Sequence, residues 1–279
     1  MSEQNLPVDL VISGASGRMG KELLKLAAAD RRFQIAGALE QSGHPAVGEA
    51  VSSLGFDCRA ELTVSSDIAV VLDGTAVLVD FTRPEATREL VKEAIKTATP
   101  AVIGTTGLSR SEEQLIERLA AVAPVVSASN MSVGINLLRQ LVVEATKALT
   151  PGFDVEIVEM HHRHKEDAPS GTALALVDDI AGARRQSSEA VRCCSREGFT
   201  GERDDSEIGV FALRGGDVAG DHTVIFAGEG ERLEFTHRAS GRETFARGAL
   251  LAVEFVSRAE PGLYGMPEVL GLNGSPPNF

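Results

Sequence analysis

Long apolar runs, basic charge and cysteine are all scarce in this 279-residue chain. Each shortage argues against particular classes of protein or partner. No window of about 18 uninterrupted apolar residues occurs, so a membrane span is not expected. The opening residues, MSEQNLPVDL, have no basic stretch followed by an apolar one, so no secretory signal is expected. The formal net charge of −13 argues against nucleic acid or an anionic membrane as the main partner.

Cysteine is represented only by Cys58, Cys193 and Cys194. Cysteines that are neighbours in sequence rarely pair, and no C-x-x-C motif is present. Free thiols in a reducing compartment are the simplest interpretation, so we expect a cytoplasmic protein. None of the three lies in a motif typical of a catalytic nucleophile, which argues against a semialdehyde dehydrogenase that works through cysteine.

Strand-like and helical patterns alternate through the first half of the chain. An apolar run at 8–12 is followed by a glycine turn at 14–20, a helical pattern and a second run at 34–39, which is a βαβ unit. The alternation predicts strands at 77–81, 101–103 and 124–127 and helices at 84–98 and 109–123. This order is typical of an α/β fold with a doubly wound, mostly parallel sheet of Rossmann type.

The pattern changes after residue 131. A helix ending near Leu149 is predicted to have Leu138, Leu141, Val142 and Ala145 on one face, and a strand follows at 154–160. Further strands are predicted at 208–213, 222–227 and 232–238 with no helix between them, and a last helix at 242–258. We therefore expect a dinucleotide-binding domain at 1–131, completed by 241–279, and a second α+β domain at 132–240 with an open mixed sheet.

The glycines at 14, 17 and 20 have G-x-x-G-x-x-G spacing directly after the first strand. Such a turn lets backbone amides approach a diphosphate, and the helix that begins there directs its positive end toward it. Glu40 ends the second strand, where an acid accepts hydrogen bonds from ribose hydroxyls. A structural turn and a surface carboxylate are the alternative, but the combination favours a bound nicotinamide dinucleotide.

Two further positions bear on the cofactor. A ribose 2′-phosphate calls for a nearby arginine or lysine, but residue 41 is the neutral Gln41, while Arg18 lies within the glycine loop. Our hypothesis is that NADH is accepted at least as well as NADPH. The sequence GTTG at 104–107 follows another strand and is either a second ligand loop or an ordinary turn.

The segment EMHHRHKEDAPSGTA at 159–173 concentrates basic side chains in an acidic protein. Its end is a helix-start signature, in which Ser170 or Thr172 can cap. Helix-start amides, two hydroxyls and the charge of Lys165 together suit a small acid or diacid. His161 and His162 end a strand and point to opposite faces, so one is suited to donate a proton while the other orients the substrate or packs.

Two other interpretations of this segment are open. A run of basic residues is often a solvated face. His162 and His164 are also compatible with a metal site, but zinc needs three or four ligands and no further cysteine or histidine partner is evident. We therefore expect no metal.

The chain resembles the dihydrodipicolinate reductase family, also called 4-hydroxy-tetrahydrodipicolinate reductase, of bacterial lysine and diaminopimelate synthesis. The motifs that carry the resemblance span nearly the whole chain and are GASGRMG (14–20), DFTRPEAT (80–87), GTTG (104–107), ASNMSVGIN (128–136), EMHHRHKEDAPSGTA (159–173), HRASGRETFARGAL (237–250) and GLYGMPEVLGL (262–272).

The resemblance implies a reductase that transfers a hydride from NADH or NADPH to C4 of a cyclic diacid, and a homotetramer built through the second domain. It implies that His161 is the general acid and that Lys165 assists in proton donation. The residues that match substrate contacts are His162, Ser170, Gly171, Thr172 and Arg242. The residues that match cofactor positions are Gly14, Ala15, Ser16, Gly17, Arg18, Met19, Glu40, Gly104, Thr105, Thr106, Ala128, Ser129, Asn130 and Met131. The chief departure is Gln41, where several members carry arginine.

A protein that only senses NAD(H) is the alternative from another class. Its first domain would bind the dinucleotide and its second would mediate assembly. The segment at 159–173 argues against it, because a sensor needs no proton donor beside a carboxylate pocket.

Overall fold

The computed structural model describes residues 6–55, 62–149 and 151–272, so the interpretation of Cys58 and of the final residues lies outside the described chain. The chain divides into two compact units. Unit 1 consists of Met1–Val133 together with Glu243–Phe279, and unit 2 is Gly134–Arg242. None of the described helices combines the length and the apolar character needed to span a bilayer.

The described elements are these. The strands are β1 (Val8–Ser13), β2 (Phe33–Leu39), β3 (Val77–Asp80), β4 (Ala101–Ile103), β5 (Pro124–Ser127), β6 (Asp154–His161), β7 (Arg192–Cys193), β8 (Ile208–Arg214), β9 (Gly220–Ala227), β10 (Arg232–Ala239) and β11 (Gly262–Tyr264). The helices are α1 (Arg18–Ala29), α2 (Ile68–Val71), α3 (Pro84–Thr97), α4 (Arg110–Ala120), α5 (Val133–Leu149), α6 (Gly171–Arg184), α7 (Ser188–Val191), α8 (Glu243–Val256) and α9 (Met266–Val269). A short 3-10 turn occupies Val51–Leu54.

Unit 1 contains a parallel sheet with strand order β11-β5-β4-β3-β1-β2. The chain order reverses between β1 and β3, because β2 lies on one side of β1 and the later strands lie on the other. In such sheets ligands bind at the carboxyl ends of the strands at this switch point. The predicted α/β class and parallel sheet are confirmed.

Both faces of the unit 1 sheet are covered, which explains why its strands are apolar along their whole length. On one face α1 and α8 pack against alternate strand residues such as Leu10 and Ile12. On the other face α3 and α4 pack against the intervening residues, including Val11 and Leu78. The long segment after residue 242 therefore supplies one of the four covering helices.

Unit 2 contains a mixed sheet with strand order β10-β9-β6-β8-β7. β9 runs antiparallel to β6 and β10, whereas β8 runs parallel to β6 and β7. Buried residues of α5 and α6 pack against alternate residues of the strands, such as Val155 and Ile157 of β6. The intervening residues of β6 are only partly buried, so the sheet is covered on one face as predicted.

The apolar face predicted for α5 coincides only in part with its buried face. Leu141 is 44% exposed, and the buried residues of α5 include Ile135, Leu138 and Val142. Apolar residues occur on more than one side of this helix, so spacing alone does not select the buried face. The short elements β7, β11, α2, α7 and α9 were not predicted, because runs of two to four residues carry no measurable periodicity.

Candidate active site

The glycine loop after β1 is shaped for the close approach of a ligand. Gly14 has φ of 65°, and a Cβ at this position would lie 2.9 Å from Cγ2 of Thr82. A Cβ on Gly20 would collide with the carbonyl oxygen of Gly14, so the loop and α1 pack closely only with glycine there. Gly17 is the N-cap of α1 and provides no side chain to cap the helix. The first amides of α1 therefore suit an anionic ligand such as a diphosphate.

Glu40 lies directly after β2 and is tied to this loop. Its carboxylate accepts hydrogen bonds from the hydroxyl and the backbone N–H of Ser16, and from the backbone N–H of Gln41 at 3.1 Å. Burial raises the pKa of the Glu40 carboxyl, but these hydrogen bonds outweigh burial and lower the pKa overall. Glu40 is therefore a charged acceptor at neutral pH. His44 lies nearby, with Nε2 3.4 Å from Oγ of Ser16.

Asp80, at the end of β3, organises the neighbouring loops. Its buried carboxylate accepts hydrogen bonds from the hydroxyls of Thr82 at 2.6 Å, Thr87 at 2.5 Å and Thr105 at 3.2 Å. Burial raises the pKa of Asp80 despite these donors. The group connects the loop after β3 with the GTTG loop after β4. Thr105 is thus buried and bonded internally, while Thr106 is exposed.

A pocket of about 520 Å³ lies beside the GTTG loop. It is lined by Thr105 and Thr106 together with Ser127, Ala128 and Ser129 after β5. A larger pocket of about 750 Å³ lies where β2 begins. The smaller pocket is the better candidate, because ligands of parallel sheets bind at the carboxyl ends of the strands.

The remaining positions predicted to contact the cofactor are spread around the same edge of unit 1. Arg18 is exposed, Met19 and Asn130 are partly buried, and Ala15 is buried beneath the loop. The side chain of Met131 is 1% exposed and packs in the core.

In unit 2, His161 ends β6 and is held by Glu159. The Nδ1 atom of His161 lies 2.6 Å from Oε2 of Glu159, whose side chain is fully buried. The two residues share one face of the strand because they are two positions apart. Arg214, the register partner of His161 on β8, donates two hydrogen bonds of 2.9 and 3.0 Å to the same carboxylate. Burial raises the pKa of Glu159, but the hydrogen bonds from Arg214 and His161 outweigh it, so that pKa is lowered overall.

Lys165 lies in the loop between β6 and α6. Its Nζ contacts both carboxylate oxygens of Asp167, at 2.8 and 2.9 Å, and four-fifths of its side chain is buried. Arg214 also donates to the carbonyl oxygen of Asp167 at 2.7 Å, which connects this loop to Glu159. An incoming carboxylate would therefore compete with Asp167 for the ammonium group. Nδ1 of His162 is buried and has no hydrogen-bond partner among the described residues.

Ser170 is the N-cap of α6. Its hydroxyl accepts a hydrogen bond from the backbone N–H of Ala173 at 3.2 Å and lies 3.0 Å from Nε2 of His222. Ser170 is only 2% exposed, while Gly171 at the start of α6 is exposed and Thr172 is partly buried. Arg242 is exposed at the end of unit 2. The two hydroxyl residues thus differ, because Ser170 is held within the fold.

His222 lies on β9 opposite Glu159, and its ring contacts that of His161 edge to face at 5.2 Å. Burial, followed by the charge of His161, lowers the pKa of His222 to about 4. His222 is therefore neutral at neutral pH. Its Nδ1 has no partner in the described chain. Because a buried orphan acceptor costs less than a buried orphan N–H, the tautomer with hydrogen on Nε2 is favoured, and His222 donates to Ser170.

Four residues of these sites were absent from the sequence prediction: Asp80, Glu159, Arg214 and His222. Glu159 could have been found, because it precedes His161 by two residues on a predicted strand. Arg214 and His222 are separated from their partners by 55 and 52 positions, so only the strand register brings them together. Among the described residues, no group of three or more His, Cys, Asp or Glu side chains is arranged to hold a metal ion.

A doubly wound parallel sheet with a glycine turn after β1 and a charged acid after β2 defines the class of Rossmann-type, nicotinamide-dependent oxidoreductases. Two family models extend this assignment. The model described as "Dihydrodipicolinate reductase, N-terminus" matches residues 8–131, and the model described as "Dihydrodipicolinate reductase, C-terminus" matches residues 134–270. The chain belongs to the dihydrodipicolinate reductase family, as its motifs predicted.

Curated relatives agree with this assignment. A protein of Thiobacillus denitrificans named 4-hydroxy-tetrahydrodipicolinate reductase is 48% identical over 267 residues, covering 96% of this chain and 100% of the relative. A protein of Burkholderia multivorans with the same name is 46% identical, covering 94% of this chain and 99% of the relative. These names give the alternative of a non-catalytic sensor no support.

A solved structure shares the fold. The dipicolinate-bound dihydrodipicolinate reductase of a Paenisporosarcina species superposes with a TM-score of 0.75 at 24% identity. The match covers 95% of this chain and 99% of that one.

Proposed function

We propose that this protein reduces 4-hydroxy-tetrahydrodipicolinate to tetrahydrodipicolinate in lysine and diaminopimelate synthesis, using NADH or NADPH. Family membership supports the reaction class and a nicotinamide cofactor. The assignment of roles to residues rests chiefly on the buried Glu159–His161 pair beside the helix start at 170–172. This arrangement places a proton donor next to an anion site.

The proposed cofactor site is in unit 1. Backbone amides at the start of α1 bind the diphosphate, and Glu40 accepts hydrogen bonds from the adenosine ribose. The loops at 104–106 and 128–131 border the pocket that receives the rest of the dinucleotide. When bound, the reduced nicotinamide would supply a hydride to C4 of the unsaturated ring that forms once the 4-hydroxyl group of the substrate has left as water.

The proposed substrate site is in unit 2. The ammonium of Lys165 and the amides of Gly171 and Thr172 bind the two carboxylates, with His162 and Arg242 as further contacts. His161 donates the proton that completes the reduction, and Lys165 assists it. Addition of a hydride builds negative charge on the substrate, so nearby cationic donors stabilise the transition state more than the ground state.

We also propose that NADH is used at least as well as NADPH. Glu40 is held ionised by Ser16 and Gln41, and a carboxylate repels a ribose 2′-phosphate. Gln41 offers no positive charge to offset this repulsion.

A cytoplasmic location and a homotetramer complete the proposal. The free thiols of Cys193 and Cys194 are consistent with the location.

The assignment is tested by following NADH oxidation with freshly made substrate. Lys165→Ala should lower kcat at least about 100-fold and raise the KM for substrate, because it removes a charge from the acceptor site. The KM for NADH should barely change. Turnover like that of the parent enzyme would refute the role of Lys165.

A second comparison separates the two neighbouring histidines. His161→Ala should lower kcat more than His162→Ala, since only His161 is oriented by a buried carboxylate. The opposite order would mean that His162 is the proton donor.

Activity should also survive treatment with EDTA. A loss of activity that is restored by zinc would favour a metal at His162 and His164.

A further inference from the structure

Glu159 is distinguished from the other carboxylates of unit 2 by the number and kind of its donors. Oε1 accepts from the backbone N–H of Ser170 and from Nη2 of Arg214, each at 3.0 Å. Oε2 accepts from Nη1 of Arg214 at 2.9 Å and contacts Nδ1 of His161 at 2.6 Å. A backbone N–H and a guanidinium can only donate hydrogen bonds. The carboxylate of Glu159 is therefore held in one orientation and remains an acceptor.

The fixed carboxylate determines where His161 carries its hydrogen. An ionised carboxylate accepts and does not donate, so the hydrogen of the 2.6 Å contact belongs to Nδ1 of His161. In the neutral ring Nε2 then has a lone pair, and in the protonated ring Nε2–H is the proton that can leave. In functional histidines, the hydrogen bond made by one ring nitrogen commonly determines which of the two nitrogens carries the hydrogen.

Space on the Nε2 side is provided by a glycine. A Cβ at Gly220, the first residue of β9, would lie 3.0 Å from Nε2 of His161. His222, two residues later on the same strand, contacts the His161 ring edge to face. The His161 ring is thus contacted on one side by His222 and fixed at Nδ1 by Glu159. Because residue 220 is glycine, no side chain extends from it toward Nε2.

We propose that Glu159 is a positioning residue for the reduction: clamped by Arg214 and the Ser170 amide, it keeps a hydrogen on Nδ1 of His161 so that Nε2 exchanges the proton with the substrate. This inference rests on the proposed role of His161 as proton donor. Glu159 itself is buried and does not touch the substrate. Arg214 serves the same end, because it binds both Glu159 and the loop that carries Lys165.

Glu159→Gln places an amide donor within the cluster and should lower kcat about 10- to 100-fold. The KM for NADH and the dissociation constant of dipicolinate, used as a dicarboxylate probe, should change less than about threefold, because neither ligand is bound by Glu159. Glu159→Asp retains the charge and should recover part of the lost kcat. An unchanged kcat in Glu159→Gln would overturn the proposal.

Glu156→Gln is the matched control. Glu156 lies on the same strand and also binds two arginines, Arg196 and Arg203, but it does not contact His161. Its replacement should reduce stability while leaving kcat within about twofold. A loss of kcat equal to that of Glu159→Gln would show that the effect is only structural and would overturn the proposal.

Nitrogen NMR of the unmodified protein gives a test that needs no folded variant at position 159. At alkaline pH, where imidazoles are neutral, His161 should carry its hydrogen on Nδ1, with its signal assigned by loss in His161→Asn. Hydrogen on Nε2 would overturn the proposal. Full activity of His161→Asn would instead remove the proposed role of His161, so the two failures are distinguishable.

Discussion

We propose that single side chains just after β2 govern the choice between NADH and NADPH. Gln41 supplies no charge, and its backbone N–H helps to keep Glu40 ionised. A ribose 2′-phosphate placed there meets the negative charge of Glu40, while the side chain of Arg18 is exposed to solvent. The parent enzyme should therefore not prefer NADPH by about 100-fold or more in kcat/KM, which corresponds to about 2.7 kcal/mol.

Gln41→Arg should raise kcat/KM for NADPH at least about tenfold and leave kcat/KM for NADH within about threefold, because arginine pairs with the 2′-phosphate. Steady-state kinetics with both cofactors at saturating substrate measure the change. Gln34→Arg, placed on β2 away from the ribose position, is the control for added charge. An equal gain in that variant would contradict a local effect.

His222 should make stability depend on pH. Its pKa is about 4 in the folded protein, chiefly because burial and His161 disfavour its charge, against about 6.5 in an unfolded chain. As the pH falls, His222 binds its proton in the unfolded chain before it does so in the folded protein. The stabilisation of the folded protein by the neutral His222 ring is therefore fully present above about pH 6.5 and is lost toward pH 4. The loss is on the order of 3 kcal/mol.

The measurement compares urea unfolding of the parent and of His222→Gln between pH 7 and pH 4. The facing groups Glu159, His161, His237 and Lys165 are present in both proteins, so the difference isolates His222. The variant should show a shallower decrease in the free energy of unfolding. His164→Gln, which alters an exposed ring, should leave the slope unchanged. Parallel curves for His222→Gln and the parent would disprove the expectation.

Local motifs and distant partners differ in how far the sequence reveals them. His161, Lys165 and Ser170 lie within one short segment, so their types and spacing indicate an anion site with a proton donor. Arg214 and His222 read as ordinary strand residues until the register of β8 and β9 with β6 is known. The same reasoning separates Ser170 from Thr172, because only the fold shows that Ser170 is already held by His222.

The helix α4 begins with a capping box. Ser109 caps the helix, and the carboxylate of Glu112 accepts a hydrogen bond from the backbone N–H of Ser109 at 2.9 Å while also binding Arg88. Hydrogen bonds from Ser109, Arg88 and others lower the pKa of Glu112 to about 2. The S-x-x-E spacing of Ser109 and Glu112 predicts this capping box. The contribution of Arg88 from α3 is not predictable from sequence, because it requires the two helices to be adjacent.

Ser109→Ala should destabilise the protein by about 1 kcal/mol, because the first amides of α4 lose their partner. Hydrogen exchange of the α4 amides and urea unfolding measure the effect. Ser187→Ala is the matched control, since Ser187 precedes α7 without forming a side-chain capping bond. Equal losses in the two variants would show that capping is not the cause.

We expect the protein to assemble through unit 2. Its mixed sheet is covered by helices on one face, whereas Leu213 lies on the other face and is 49% exposed. Light scattering should give a mass about four times 29.4 kDa. Leu213→Glu should lower that mass, whereas Val70→Glu on α2 of unit 1 should not. A parent protein that stays at the mass of one chain at all concentrations would contradict the proposal.

The division of unit 1 into two stretches has a consequence for biosynthesis. The helix α8 and the strand β11 come from the last 37 residues of the chain, and both belong to the unit that begins at the N-terminus. A ribosome completes every residue of unit 2 before it reaches α8. Until α8 is made, only α1 covers that face of the sheet in the nascent first half, so chaperones that shield apolar strands should engage it during translation.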